Sequence, residues 1–254
     1  MSPRTGSRDR SEAAIWQEVE FGSYTADLPL WVELADAAED PVLELGAGAG
    51  RVALELASRG HQLIALDSDA ELVAELQRAA QDRDLPVTAV SADLALAAEL
   101  ELPSAAGLVI GPLHVIQVLP AQARPQLLTR LGQLAAPGST LALTLVDEST
   151  LLSAGTAASQ ILPDMREFDG WVYSSEPLWV QVGDEVLTVR RLRERVSPDG
   201  RMERQVHDEI LHRVSPELLQ QEGTAAGLRP GGSRQIRSGS NEADSTVVLL
   251  ETAG

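Results

Sequence analysis

The 254-residue chain contains no cysteine. Disulfides, thiolate zinc sites and cysteine nucleophiles are therefore excluded. It contains no lysine either, so its 20 Lys/Arg positions are all arginine. That removes Schiff-base chemistry and a P-loop lysine, and a coding bias explains it more simply than a tuned surface. Aromatic residues make up only 3% of the chain. No apolar run approaches the roughly 18–20 residues of a membrane span, so no membrane partner is expected. Residues Met1 to Arg10 are polar and arginine-bearing, without the apolar core of a secretory signal, and a cytoplasmic protein is the default expectation. Positive charge is scarce: the net charge is −18 and the pI near 4.5. Such a chain repels phosphate backbones, so nucleic acid is not an expected partner. A hydrophobic content of 44% suffices for one large α/β domain, or one domain with an insertion.

Residues 1–12 read as a disordered tail. Apolar spacing from Ser11 to Ala37 predicts a helical lead-in, broken at Phe21-Gly22-Ser23-Tyr24, and Asp40-Pro41 ends it. Strands are predicted at Pro41–Leu45, Gln62–Leu66, Pro86–Val90, Ala106–Ile110 and Thr140–Val146. Helices are predicted between them at Gly50–Arg59, Ala70–Arg83 and Gln122–Ala135. This alternation implies a doubly wound α/β sheet, mostly parallel, with ligands at the carboxyl ends of its strands. The pattern changes after Leu162. Trp171–Val182, Glu185–Val196 and Met202–Val214 read as three successive strands, with Gly183-Asp184 and Ser197-Pro198-Asp199-Gly200 as turns. A helix then starts at Ser215-Pro216 and stops at Gly227. Gln235–Ile236 and Ser245–Glu251 supply the last two strands. The predicted division is a main domain of residues 13–162 and 213–254, interrupted by an antiparallel β insertion of residues 163–212.

The chemistry is concentrated in Glu44-Leu45-Gly46-Ala47-Gly48-Ala49-Gly50, at the end of a strand and the start of a helix. Glycine removes the Cβ and lets backbone approach a ligand closely. A dinucleotide loop is spaced G-x-G-x-x-G and seats a pyrophosphate on the helix N-terminus. Here the spacing is G-x-G-x-G, and Glu44 stands in front of it. A carboxylate there opposes a pyrophosphate but suits a cationic ligand. Asp67 ends the next strand, where a carboxylate accepts two hydrogen bonds from a diol.

Val42 to Arg51 resembles the first motif of class I S-adenosylmethionine-dependent methyltransferases. The resemblance extends from Tyr24 to Glu251. It implies a seven-stranded Rossmann-like sheet whose last strand is antiparallel, with S-adenosyl-L-methionine as cofactor. Carried over residue by residue, it puts Glu44, Gly46, Ala47, Gly48, Gly50 and Arg51 around the methionyl moiety. Asp67 and Ser68 would meet the ribose, Leu72 the adenine face, and Ala92-Asp93-Leu94 the adenine edge. The segment Leu108 to Leu119, with Gly111 as a cofactor contact, matches the fourth motif, beside the sulfonium. That motif often runs Asn-Ser-Leu-x-His; in this chain His114 takes the Asn position and Val118 the His position. Ala136-Pro137-Gly138 resembles the turn before the fifth strand. The lead-in Tyr24–Trp31 and the inserted strands are similar to small-molecule enzymes of the glycine and amino-sugar N-methyltransferase kind, whose small sheet covers the active site.

The resemblance thus implies methyl transfer by in-line displacement to an N or O nucleophile of a small molecule, with no metal, by a monomer or homodimer. His114 and Tyr24 are the catalytic candidates. Gln117, Asp147, Trp171 and Tyr173 are the candidates for substrate contact. Each has a structural reading as well: His114 as a hydrogen-bonded scaffold residue, Tyr24, Trp171 and Tyr173 as core aromatics, Asp147 as a solvated loop residue, Asp93 as a helix cap. Arg190, Arg191, Arg193 and Arg195 pair with Glu203, Asp208 and Glu209 across strands in one reading, and clamp an anion in another. Two other functions compete, a nicotinamide-dependent oxidoreductase and a non-catalytic regulatory protein that keeps the cofactor fold.

Overall fold

The computed structural model describes residues 10–39, 41–156, 163–238 and 243–254. Residues 1–9 of the expected tail lie outside these residues, whereas Arg10 to Glu12 are ordered: Ser11 caps the first helix, which starts at Glu12. Two helices lead in, α1 (Glu12–Phe21) and α2 (Leu28–Asp36). The main sheet follows as β1 (Val42–Leu45), α3 (Arg51–Ser58), β2 (Leu63–Asp67), α4 (Ala70–Asp82), β3 (Val87–Ser91), β4 (Ala106–Gly111), α5 (Val115–Val118), α6 (Arg124–Leu134) and β5 (Ala135–Val146). A 3-10 segment, Leu94–Glu99, lies between β3 and β4. Helix α7 begins at Glu148. A second sheet holds β6 (Asp164–Phe168), β7 (Trp171–Val182), β8 (Val186–Val196) and β9 (Met202–His212). The chain then returns through α8 (Pro216–Ala225), β10 (Arg229–Ile236) and β11 (Ser245–Glu251).

The main sheet has seven strands in the order β10-β11-β5-β4-β1-β2-β3. Strands β1 to β5 are parallel, and β11 runs antiparallel to both of its neighbours. The period of two divides the apolar side chains between two cores. Leu43 and Leu45 of β1 point toward the layer holding Leu127, Leu131 and Leu219. Val42 points to the opposite layer, with Trp31, Val52, Leu56 and Leu76. Glu44 shares the Val42 face, which directs a carboxyl into the α2–α3 layer.

Several expectations are corrected. Strand β5 starts at Ala135, directly from α6, and runs through Pro137-Gly138 instead of turning there; the Gly138 N–H donates to the Ala253 carbonyl at 3.2 Å. Strand β10 begins at Arg229, well before the expected Gln235, because it pairs along the whole length of β11. The inserted sheet has four strands, not three. Strand β6 joins β7 through Asp169-Gly170, both at positive φ (48° and 80°), with Phe168 opposite Trp171. That two-residue Asp-Gly turn is the strongest local hairpin signal, and it precedes β7 in the sequence.

Candidate functional site

Glycine sets the geometry at the carboxyl end of β1. Gly46, Gly48 and Gly50 all have positive φ, at 64°, 55° and 97°. Gly50 caps α3 in the left-handed region, where an L side chain is strained, and a Cβ there would sit 2.3 Å from Leu76 Cδ1. A Cβ on Gly48 would sit 2.1 Å from the Gln17 side chain. The loop is therefore a cradle that any side chain would fill. A cavity of about 450 Å³ opens above it, lined by Glu44, Gly46, Ala47, Arg51, His114 and Glu209 among others.

Glu44 lies in the wall of this cavity and is buried, with one carboxyl oxygen, Oε2, lacking any hydrogen-bond partner. Burial raises its pKa from the ordinary 4.5 to about 8, against the pull of the nearby Arg51 charge. An unpartnered buried carboxyl is costly, and a cationic donor in the cavity relieves it. Arg51 turns the other way. Its two terminal nitrogens donate to Asp27 at 2.7 and 2.6 Å, and Nη1 also donates to the Tyr24 carbonyl at 3.0 Å. Asp27 takes a further bond from Trp31 Nε1 at 2.9 Å. This bidentate pair fastens the lead-in segment to the glycine loop. Tyr24 stacks its ring 5.2 Å from the Arg51 guanidinium, and its hydroxyl lies 3.3 Å from Ser238 Oγ. Asp27 was invisible to sequence reasoning, because its partner is 24 residues away.

Asp67 stands at the end of β2, beside the loop. Its carboxylate accepts the Gly48 N–H at 2.7 Å and the Asp69 N–H at 2.9 Å. A carboxylate offers about four acceptor positions, so room remains for a diol. Ser68 is exposed next to it, and Leu72 is buried beneath α1 in a neighbouring cavity. Ala92 donates its N–H to the Asp67 carbonyl at 2.8 Å, which keeps the ends of β2 and β3 together. Asp93 is exposed and caps the 3-10 segment through the Ala95 N–H at 2.8 Å, while Leu94 is buried in the core. Gly111 ends β4, where a Cβ would press on Leu143 at 2.9 Å.

Helix α1 closes the top. Gln17 accepts the Ala49 N–H at 2.9 Å, and Arg10 pairs with Glu75 of α4 at 2.7 Å. Trp16 meets Tyr173 edge-to-face at 5.4 Å, beside Phe168 and Trp171. Tyr173 and Trp171 thus belong to the seam between α1 and the inserted sheet rather than to the cavity wall. Gln117 also turns away: it is buried, and its side-chain carbonyl accepts the Val146 N–H at 2.8 Å. Asp147 caps α7 through Ser149 and Thr150 and lines a separate cavity with Glu148 and Arg213. Its hydrogen bonds from Ser149 and Thr150 hold its carboxyl below the ordinary range.

The inserted sheet contributes what the sequence did not reveal. Glu209 of β9 reaches His114, Oε1 to Nε2 at 2.6 Å, with side-chain exposures of 26% and 18%. Burial pulls the His114 pKa down, but the Glu209 charge and hydrogen bond outweigh it and hold the imidazole above its ordinary value. The arginine run divides. Arg190 and Arg195 form the cross-strand pairs with Asp208 and Glu203, at 2.5 and 2.6 Å. Arg193 instead grips Glu20 of α1 at 2.8 and 2.7 Å, and Arg191 donates to Ser175 and Asp164. Arg191, Arg193 and Glu20, with His207 and Glu209, wall a second cavity of about 250 Å³. Gln17, Phe21 and Glu209 line both cavities, so the two adjoin.

Comparison with known proteins agrees with this geometry. Residues 42–138 match the family described as a methyltransferase domain. The ribosomal RNA small subunit methyltransferase A of Anaeromyxobacter dehalogenans (strain 2CP-C) is 41% identical over 76 residues, which cover 29% of this chain and 27% of that protein. Solved structures match over far more of the chain. The sugar N-methyltransferase KedS8 of Streptoalloteichus sp. ATCC 53650 superposes with a TM-score of 0.73 at 14% identity, covering 100% of this chain and 97% of that one. CalS10, an amino pentose methyltransferase from Micromonospora echinaspora solved with S-adenosylmethionine bound, gives 0.65 at 14% identity, covering 94% and 97%. Among the described residues no helix is long and apolar enough to cross a membrane.

Proposed function

We propose S-adenosylmethionine-dependent methyl transfer to a small-molecule acceptor for this chain, which belongs to the class I methyltransferases by its fold and by the domain at residues 42–138. The observation that carries the reading is the unpartnered Glu44 oxygen beside a glycine cradle with no room for a side chain. It fits a ligand with a cationic amino group and a close-packed backbone contact. Glu44 would hold the ammonium of the methionyl moiety, Gly46 to Gly48 its backbone, and Asp67 the ribose diol. Ser68, Leu72 and Ala92 to Leu94 would border the adenine. Bound there, S-adenosylmethionine supplies an electrophilic methyl group with a good leaving group.

The protein's own task is then positioning. Helix α1 and the inserted sheet cover the cavity and exclude water, and they hold the acceptor in line over the loop. Such orientation supplies on the order of 7–11 kcal/mol. His114 borders the cavity as the proton acceptor, and Tyr24 orders the lead-in segment over Arg51. The inserted sheet, residues 163–212, acts as the acceptor lid, and the chamber beside Glu209 as the acceptor's seat. A small molecule suits this better than RNA, since a net charge of −18 repels a phosphate backbone. The whole-chain likeness to sugar and amino pentose methyltransferases favours an amine or hydroxyl on such a molecule.

Calorimetry with S-adenosylhomocysteine tests the cofactor site. Binding by the unaltered chain and a loss of at least tenfold in Asp67→Ala are expected; equal affinity for the two chains overturns the assignment. Methyl transfer to a panel of amines, phenols and sugars tests the reaction.

A further inference from the structure

We propose that Glu209, carried by the inserted sheet, is the positioning residue for His114, and that the acceptor's nucleophile arrives carrying a proton, as a hydroxyl or an ammonium. This rests on the methyl-transfer reading of the same cavity. Glu209 Oε1 lies 2.6 Å from His114 Nε2, and both side chains line the cavity above the glycine loop. The carboxylate fixes the hydrogen on Nε2. The other ring nitrogen, Nδ1, has no hydrogen-bond partner among the described residues and is not sealed from solvent, and His114 itself lines the cavity. A neutral imidazole held this way presents Nδ1 as its basic nitrogen. The proton of an acceptor O–H or N–H passes to Nδ1, and the bonding electron pair stays on the oxygen or nitrogen. Glu209 balances the imidazolium charge that results, the arrangement that serves histidine bases in other active sites. An acceptor that arrives without a proton, such as a carboxylate, would gain nothing from it.

The placement follows from the fold. His114 sits at the N-cap of the single-turn helix α5, directly beyond β4. Strand β9 packs against α5 and alternates its side chains, so His207, Glu209 and Leu211 share one face. Arg191 of β8 and His207 face Glu209 from the same sheet, and both act to keep it ionised. Across the cavity stand Glu44 and Arg51. Among the described residues, Glu209 is the charged neighbour that raises the His114 pKa.

Two measurements test the pair. The first is the nitrogen NMR spectrum of the four histidines in the cofactor-free protein, with His114 assigned by its loss in His114→Gln. His114 is expected as the Nε2–H tautomer at alkaline pH, titrating at least one unit lower in Glu209→Gln. An Nδ1–H tautomer, or identical titration in both chains, overturns the proposal; the tautomer is read on the unaltered chain, whatever the folding of the variant. The second is the pH profile of methyl transfer to whichever amine or phenol of the panel is turned over. Glu209→Gln should move the rising limb to lower pH and reduce kcat at least tenfold with KM for the cofactor unchanged, and Glu209→Asp should restore part of it. An unmoved limb overturns the dyad while methyl transfer stands. Absence of methyl transfer alongside the expected tautomer and titration instead removes the reaction and leaves the pair.

Discussion

If Glu44 holds the cofactor's ammonium as proposed, cofactor binding becomes a proton-release reaction. With a pKa of about 8, roughly one-hundredth of the carboxyl is ionised at pH 6, one-tenth at pH 7 and half at pH 8. If the ionised form holds the methionyl ammonium, affinity rises about ninefold from pH 6 to 7 and about fivefold more to pH 8. Each cofactor bound at pH 7 then displaces about 0.9 proton. The assay is calorimetry with S-adenosylhomocysteine in buffers of different ionisation enthalpy, where the slope of observed against buffer enthalpy counts protons. Glu44→Gln should abolish the slope and weaken binding by about 1.5–3 kcal/mol, the range for a hydrogen bond to a charged group. The same substitution should stabilise the cofactor-free protein. The folded pKa lies above the unfolded 4.5, so the folded chain holds the extra proton between pH 4.5 and 8, and stability falls as pH rises through that window. Relative to the glutamine variant, the unaltered chain should lose on the order of 2–3 kcal/mol of unfolding free energy between pH 6 and 9. A zero slope together with pH-independent affinity would refute the reasoning.

Three further outcomes are expected. Asp27→Ala strands Arg51 beside the cavity and should cost about 3–5 kcal/mol in urea unfolding, the cost of breaking a buried pair; a loss below about 1 kcal/mol would mean the pair is as weak as an exposed one. Gly50→Ala places a side chain at a φ of 97° and 2.3 Å from Leu76, so thermal unfolding should fall by several degrees, with cofactor affinity falling too; an unchanged Tm would show that the loop relaxes freely. Gln17→Ala frees the Ala49 N–H, now bonded at 2.9 Å, and should change the association rate for cofactor in stopped-flow more than it changes stability; equal rates would show that Gln17 does not limit cofactor entry.

The proposed cofactor end of this site is legible in the sequence because its signals are local. A glycine loop, the acid before it and the acid ending the next strand lie within two dozen residues, and strand alternation alone directs Glu44 and Asp67 to one edge. The acceptor end was not legible, for reasons of register and packing. Tyr173 and Trp171 alternate as a lid would, yet Tyr173 meets the Trp16 ring, brought there by a helix more than 150 residues earlier, and Trp171 packs against the same cluster. Gln117 follows the right strand, but one turn of α5 points its amide at Val146 instead of the cavity. Glu209 was assigned an arginine partner. Arg191 lies opposite His207 rather than Glu209, and Val189 takes the place across from Glu209. That leaves the carboxylate to pair with His114, at the N-cap of α5 beyond the main sheet.

This division has a physical consequence for how the protein is built. In the proposed reading the cofactor wall is made of backbone, one buried acid and one strand-end carboxylate, all held by the main sheet. The acceptor wall is then made of ion pairs joining separate elements, Arg193 to Glu20 and Glu209 to His114, while Arg51 to Asp27 fastens the lead-in segment to the glycine loop. Each of the first two bonds the inserted sheet to a different neighbour, α1 or the segment after β4. Movement of α1 therefore changes the shape of the chamber, and movement of the segment after β4 changes the charge around the imidazole. Replacing residues on the inward face of β8 and β9 should alter acceptor choice and the pH profile together, while leaving S-adenosylhomocysteine affinity within about threefold, since the Glu44 and Asp67 contacts do not depend on them. A variant of Arg193 that lost cofactor affinity and acceptor turnover in equal measure would show that the two walls are one unit after all.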